Sequence, residues 1–134
     1  MNHFKLETSR LVLREWTEID IEDLIEGLND INISKWLAFV PFPYTKKDAE
    51  NWIKCCQNAR TETDRNAYYW AIQLKSNGKV IGGLSLDKIN RIQGTAGGGI
   101  WINAGYHKNG YGVEAFDKRI EFAFNTLGFR RLEN

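Results

Sequence analysis

In the middle of the chain the hydrophobic period becomes two, on both sides of an Asn-Gly pair. Trp70, Ile72 and Leu74 alternate with Ala71 and Gln73, Asn77-Gly78 follows, and Val80 to Leu86 returns as a second apolar run. Alternation at period two puts one face of a strand into a core. Asn and Gly both tolerate positive φ, so together they make the tight turn whose twist matches paired strands. The pattern predicts an antiparallel hairpin between residues 69–74 and 80–86. An all-helical fold is thereby excluded, as is a purely parallel sheet, whose neighbouring strands need a long crossover.

The segments around the hairpin carry other signals. Leu11 to Arg14 reads as a first strand. Thr17 to Asp20 opens a helix as a capping box with Asp in place of the usual Glu or Gln. Ile21, Leu24, Ile25 and Leu28 follow at helical spacing, and Asn29 ends the run. Ile33 to Leu37 reads as a short helical turn. Pro41-Phe42-Pro43-Tyr44 is an extended aromatic loop, because proline keeps its predecessor out of the helical region. Thr45, with Asp48 three residues on, caps a helix whose face is traced by Ala49, Trp52, Ile53, Cys56 and Arg60. After the hairpin, a polar loop through Asn90 and Gly94 leads to a strand at Gly98 to Ile102. Val113, Phe116, Ile120, Ala123, Phe124 and Leu127 then mark an amphipathic helix that stops at Gly128. The order is strand, helices, antiparallel strands, helix and the start of another strand. This is a mixed α/β domain with a mostly antiparallel sheet, single over 1–134, without repeat or linker.

Composition narrows the function classes. A net charge of +1 with interspersed signs speaks against a nucleic-acid binder and against steering to a membrane surface. At 43% hydrophobic the chain can build a core, yet no apolar run approaches a membrane span or a signal peptide. Cys55 and Cys56 are sequence neighbours, which rarely bridge, so they read as free thiols that pack in a reducing cytoplasm. His3 and His107 stand in no ligand spacing, so no metal is expected.

Tyr106 to Ala115 carries the chemistry. It joins a strand to a helix and holds Gly110 and Gly112. Such a turn aims backbone N–H groups at one spot, where the helix N-terminus adds partial positive charge. A phosphate or pyrophosphate suits it. Gly105 and Gly110 have the spacing of a P-loop, but Tyr111 and Gly112 occupy its lysine and hydroxyl positions. A dinucleotide fingerprint begins at Gly97 and Gly99, but Ile102 replaces its third glycine. Coenzyme A is a third reading, and a plain tight turn into a helix stays open beside all three.

His107-Lys108-Asn109-Gly110-Tyr111-Gly112 resembles the pyrophosphate motif of the GNAT acetyltransferases, Gln/Arg-x-x-Gly-x-Gly/Ala, departing at its first position. Trp101-Ile102 before it, Glu114-Ala115 after it, the opening Thr8 to Arg14 and Pro43-Tyr44-Thr45 extend the likeness along the chain. Within that superfamily the sequence is most similar to ribosomal-protein-alanine and -serine N-terminal acetyltransferases. The resemblance implies a GNAT-like central sheet flanked by helices, with acetyl-CoA as co-substrate. It implies that Trp101 and Ile102 lie at a strand bulge offering N–H groups to the thioester, and that residues 107 to 112 hold the pyrophosphate.

The family commonly has a glutamate where this chain has Gly97, which leaves the catalytic base unassigned. The family also continues beyond position 134 through a strand, a helix and a hairpin, including a tyrosine that protonates the leaving thiolate. The domain is therefore expected to lack its C-terminal part, to transfer acetyl groups at or near background, and to be marginal as a monomer or to complete its sheet with another chain. Without a base, an α-amine of pKa near ~8 is an easier acceptor than a lysine near ~10.4. A peptide N-terminus is thus favoured, with a small amine as the alternative. A catalytically inactive coenzyme-A-binding or interaction fragment is the competing reading.

Individual side chains have bland readings too. Trp36, Phe42 and Tyr44 are candidates for the acceptor pocket and fit a minor core equally. His107 reads as an exposed loop residue rather than a base. Glu114 reads as a partner for the helix dipole or for Lys118.

Overall fold

The computed structural model describes residues 5–35, 40–60, 67–90, 95–126, 128 and 131–132. Among these, seven strands form one sheet: β1 (Leu6–Glu7), β2 (Leu11–Glu15), β3 (Tyr68–Leu74), β4 (Val80–Asn90), β5 (Thr95–Gly97), β6 (Ile100–Ile102) and β7 (Arg131–Leu132). Their order is β1-β2-β3-β4-β5-β7, with β6 also paired to β4. All pairs are antiparallel except β5 with β7.

The Asn-Gly hairpin forms as expected, with Tyr68 opposite Leu86 and Ile72 opposite Gly82. Gly78 takes φ +75°, and the Asn77 side chain accepts the Lys79 N–H at 2.9 Å. The helices are α1 (Ile21–Leu28), α2 (Ile31–Ser34), α3 (Lys46–Arg60) and α4 (Tyr111–Glu121). The Asp20 carboxylate returns to the Thr17 N–H at 2.9 Å, and Arg14 grips both its oxygens at 2.8 Å. At α3 the box is reciprocal: Thr45 N–H donates to Asp48, and Asp48 N–H to the Thr45 hydroxyl.

The sheet has a core on each face. Leu11, Leu13, Trp70, Ile72, Leu84 and Leu86 pack with Ala115, Phe122 and Ala123 on the α4 side. Trp16, Leu24, Leu28, Ala49, Ile53 and Cys56 pack with Ala71 and Val80 on the α1–α3 side. Each large side chain fully buried in this way contributes about 1.5–3 kcal/mol. The sheet therefore presents one face to each helical layer, and its β6 end is where the two layers part.

Several boundaries differ from the sequence reading. The short turn is Ile31–Ser34 rather than 33–37, with 36 and 37 outside the described residues. β4 runs to Asn90, into the expected polar loop. The strand expected at 98–102 is shortened to β6 at Ile100–Ile102, and the separate β5 precedes it at Thr95–Gly97. Gly98 holds φ +143°, and a Cβ there would stand 2.1 Å from the Ser85 carbonyl oxygen. Only glycine accepts that combination. The break at Gly98–Gly99 also moves the expected bulge away from Ile102, which pairs regularly with Gly82. Helix α4 begins at Tyr111, two residues before the apolar stripe, and passes into a π-helical turn at Phe122–Thr126.

Candidate active site

Two clefts meet at the wall formed by Ile100 and Trp101. The first, of about 490 Å³, is bounded by β6, Tyr106 to Lys108 and the start of α4. It gathers Trp101, Ile102, His107, Lys108, Gly110, Tyr111 and Gly112 from the sequence motif, and adds Val113. Asn109 does not line it. Its side-chain amide ties down the turn by donating to the carbonyls of Tyr106 and His107, each at 3.1 Å.

The turn is built from left-handed residues. Lys108 has φ +68° and Gly110 has φ +79°. Gly110 is the N-cap residue of α4 and supplies no capping side chain. The first N–H groups of any helix lack intrahelical acceptors. Tyr111, Gly112 and Val113, the first three residues of α4, line the cleft, so the positive end of the helix dipole lies at its edge. His107 is exposed, and its Nε2–H donates to the Ile102 carbonyl at 2.7 Å. That bond makes His107 a brace across the turn.

The N-terminal segment holds the turn from behind. Glu114 accepts from the Arg10 Nε at 2.8 Å, from the Arg10 N–H at 3.0 Å and from the Thr8 hydroxyl. Arg10 also donates to the Asn109 carbonyl at 2.9 Å and lies over the Tyr111 ring. Burial pushes the Glu114 carboxyl up, but the bonds from Thr8 and Arg10 outweigh it and hold the pKa below its ordinary value. The sequence offers Glu114 either the helix dipole or Lys118 as its partner. Lys118 instead meets Glu121 at 3.2 Å.

β6 supplies a second set of donors. Ser85 N–H donates to the Gly99 carbonyl, and Asn103 N–H to the Ile81 carbonyl. In an antiparallel ladder alternate residues bond to the same neighbour, so 99, 101 and 103 face β4. The N–H groups of Ile100 and Ile102 therefore point to the opposite edge of β6. Among the described residues, β6 pairs only with β4.

The second cleft, of about 550 Å³, lies on the α1–α3 side. It is walled by Trp16, Trp52, Tyr69 and Trp101, with Tyr44, Asp48 and Asp87 among its polar residues. The Trp101 indole fits where Gly27 and Gly83 leave room: a Cβ on either would stand 2.5 Å from its ring. It stacks on Trp16 with centroids 6.4 Å apart. Tyr44 is 5% exposed, and Asn29 holds its backbone with two bonds of 2.8 Å. Burial first, then Asp48 and Cys56, push its phenol well above the ordinary value. Of the other pocket candidates, Phe42 is half exposed and does not line this cleft, and Trp36 lies outside the described residues. Neither cysteine forms a disulfide: Cys56 is buried in the core, while Cys55 is exposed and lines the cleft. Trp16, Trp52, Tyr69 and Asp87 escaped sequence reasoning, because their convergence depends on the helix-to-sheet packing.

Comparison with known proteins agrees with this architecture. Residues 10–133 match the acetyltransferase (GNAT) domain family. The N-acetyltransferase p20 of Bacillus licheniformis, itself uncharacterised, is 27% identical over 128 residues, spanning 96% of this chain and 70% of that protein. A Vibrio cholerae protein assigned as a ribosomal-protein-serine acetyltransferase superposes with a TM-score of 0.85 at 24% identity, over 98% of this chain and 73% of the other. The Microcin C7 self-immunity acetyltransferase MccE, solved with acetyl-CoA and AMP, gives a TM-score of 0.78 at 20% identity, over 93% of this chain and 68% of the other. At such identities the structural likenesses establish the fold. The chain belongs to the GNAT family of N-acetyltransferases.

Proposed function

We propose that the chain moves an acetyl group from acetyl-CoA to a primary amine, with the α-amine of a peptide N-terminus as acceptor. The observation that carries this reading is the meeting, in one cleft, of a helix N-terminus without a capping side chain and a strand edge unpaired among the described residues. The pyrophosphate would lie against the N–H groups of residues 110 to 113, with Lys108 at the mouth. The thioester carbonyl would lie along β6, where the Ile100 and Ile102 N–H groups meet the oxygen as it becomes an oxyanion. The neutral amine approaches from the aromatic cleft and attacks the carbonyl carbon. A C–N bond forms, the C–S bond breaks, the sulfur leaves as thiolate and takes up a proton, and the nitrogen releases one to water. MccE, with its bound acetyl-CoA, supports the co-substrate, and the Vibrio cholerae protein, named for a ribosomal-protein serine, supports a protein acceptor.

The test is mass spectrometry of an alanine-ended peptide incubated with acetyl-CoA, with and without the protein. The expected result is acetylation of the α-amine, and not of a lysine in the same peptide, above the protein-free rate, a result that would also overturn the background transfer expected from the sequence. No product above that rate with alanine- or serine-ended peptides or with small alkylamines would contradict the reading.

A further inference from the structure

The aromatic cleft is larger than a small acceptor needs. Its volume of about 550 Å³ falls in the range of sites that take a whole small molecule. A closed apolar cavity of about 150 Å³ is already enough for benzene. An amine carried by a methyl or hydroxymethyl group, as at an alanine or serine end, would leave most of the apolar wall against water. Burial of that wall is the gain such an acceptor forgoes. Among the described residues no Lys, Arg or His lines the cleft, so it offers no cation to a phosphorylated or carboxylate-bearing acceptor.

The walls are rings. Trp52 on α3, Tyr69 on β3 and Trp101 on β6 are half-buried and line the cleft. Trp52 and Tyr69 meet at 69° with centroids 4.8 Å apart, an edge-to-face corner. Trp101 sits in the slot over Gly27 and Gly83 and stacks on the buried Trp16. Aromatic rings favour edge-to-face and offset-stacked neighbours, and each such pair adds to what area alone supplies. Walls fixed by packing also lose little freedom when a ligand arrives. Ile100 and Trp101 bound the coenzyme cleft as well, so a group seated here shares a wall with the strand edge assigned to the thioester.

We propose that the aromatic cleft takes a large aromatic side chain, so that the preferred acceptor is a peptide whose first residue is phenylalanine, tyrosine or tryptophan rather than alanine or serine. The ring rests against Trp52 and Tyr69, and the α-amine, a few bonds from that ring, stays beside the wall shared with the coenzyme. The inference rests on the transferase reading above and names the class of N-terminus it serves.

The experiment uses peptides identical except for a first residue of phenylalanine, leucine or alanine. Binding at pH 7 is read as protection of the Cys55 thiol from iodoacetamide, because Cys55 is exposed and lines the cleft while Cys56 is buried. With the wild-type chain, the phenylalanine-ended peptide half-protects Cys55 at about a tenfold lower concentration than the alanine-ended one, and the leucine-ended peptide falls between. Trp52→Ala brings all of them within about twofold, whereas Trp52→Phe keeps the order. Equal protection by the phenylalanine- and alanine-ended peptides overturns the proposal without any variant. So does protection by none of them, a leucine end that matches phenylalanine, or a preference that survives Trp52→Ala. A parallel acetyl-CoA titration separates the two readings. If the coenzyme fails to bind while the phenylalanine preference holds, the transferase reading falls and the cleft stands as a site for an aromatic side chain. If the coenzyme binds and the preference is absent, the aromatic acceptor falls and the transferase reading stands.

Discussion

Glu114 uses both carboxylate oxygens to fasten the first turn of α4 to Thr8 and Arg10, residues more than a hundred positions away. The turn proposed to face the phosphates is thus held by a side chain that does not itself line the cleft. Because the folded pKa of Glu114 is depressed, its stabilisation is fully present above the unfolded value near ~4.5 and is lost as pH falls through the folded one. Glu114→Gln should lower stability at pH 7 by about 1–2 kcal/mol, discounted for the half-exposed Arg10. Thermal melts should show the gap between variant and wild type narrowing below about pH 4.5, where the wild-type carboxyl protonates too. A gap that stays constant from pH 7 to pH 3 would remove Glu114 from this role.

At the scale of elements, the break between β5 and β6 shapes the site. It lets β5 pair with β7 while β6 turns its outer edge to the cleft. Gly98→Ala puts a methyl group against the Ser85 carbonyl at φ +143°, so urea denaturation should show a loss of about 2 kcal/mol or more. An unchanged midpoint would mean that the break tolerates an ordinary residue. The hairpin at Asn77-Gly78 and the turn at residues 107 to 112 were legible in the sequence because their signals are local: a period, a pair of turn residues, glycines before a helix. The Gly98 break was not, since it depends on the register of β4 and on where the Ser85 carbonyl points. The slot for Trp101 was also hidden. It needs Gly27 on one helix and Gly83 on another strand, and neither glycine signals a partner by itself. Asp87 could be placed only once its opposition to Gly97 was known.

For the whole molecule, the division of labour follows from the two cores. The α4 side carries the helix N-terminus suited to a diphosphate, and the α1–α3 side carries the aromatic cleft suited to an amine. β6 is the wall they share. The account therefore stands on where the coenzyme phosphates sit, and Val113 offers a direct test. It is 67% exposed, lines the first cleft and is the third residue of α4. An aspartate there suits the helix dipole and should keep or raise the melting temperature. The same charge would oppose a diphosphate at the helix N-terminus. Calorimetric titration of acetyl-CoA into the wild-type chain and Val113→Asp should show binding weakened about tenfold by the substitution, the ~1.4 kcal/mol of a like charge a few ångströms away near water. Equal affinities in two equally stable proteins would place the phosphates elsewhere and contradict the account.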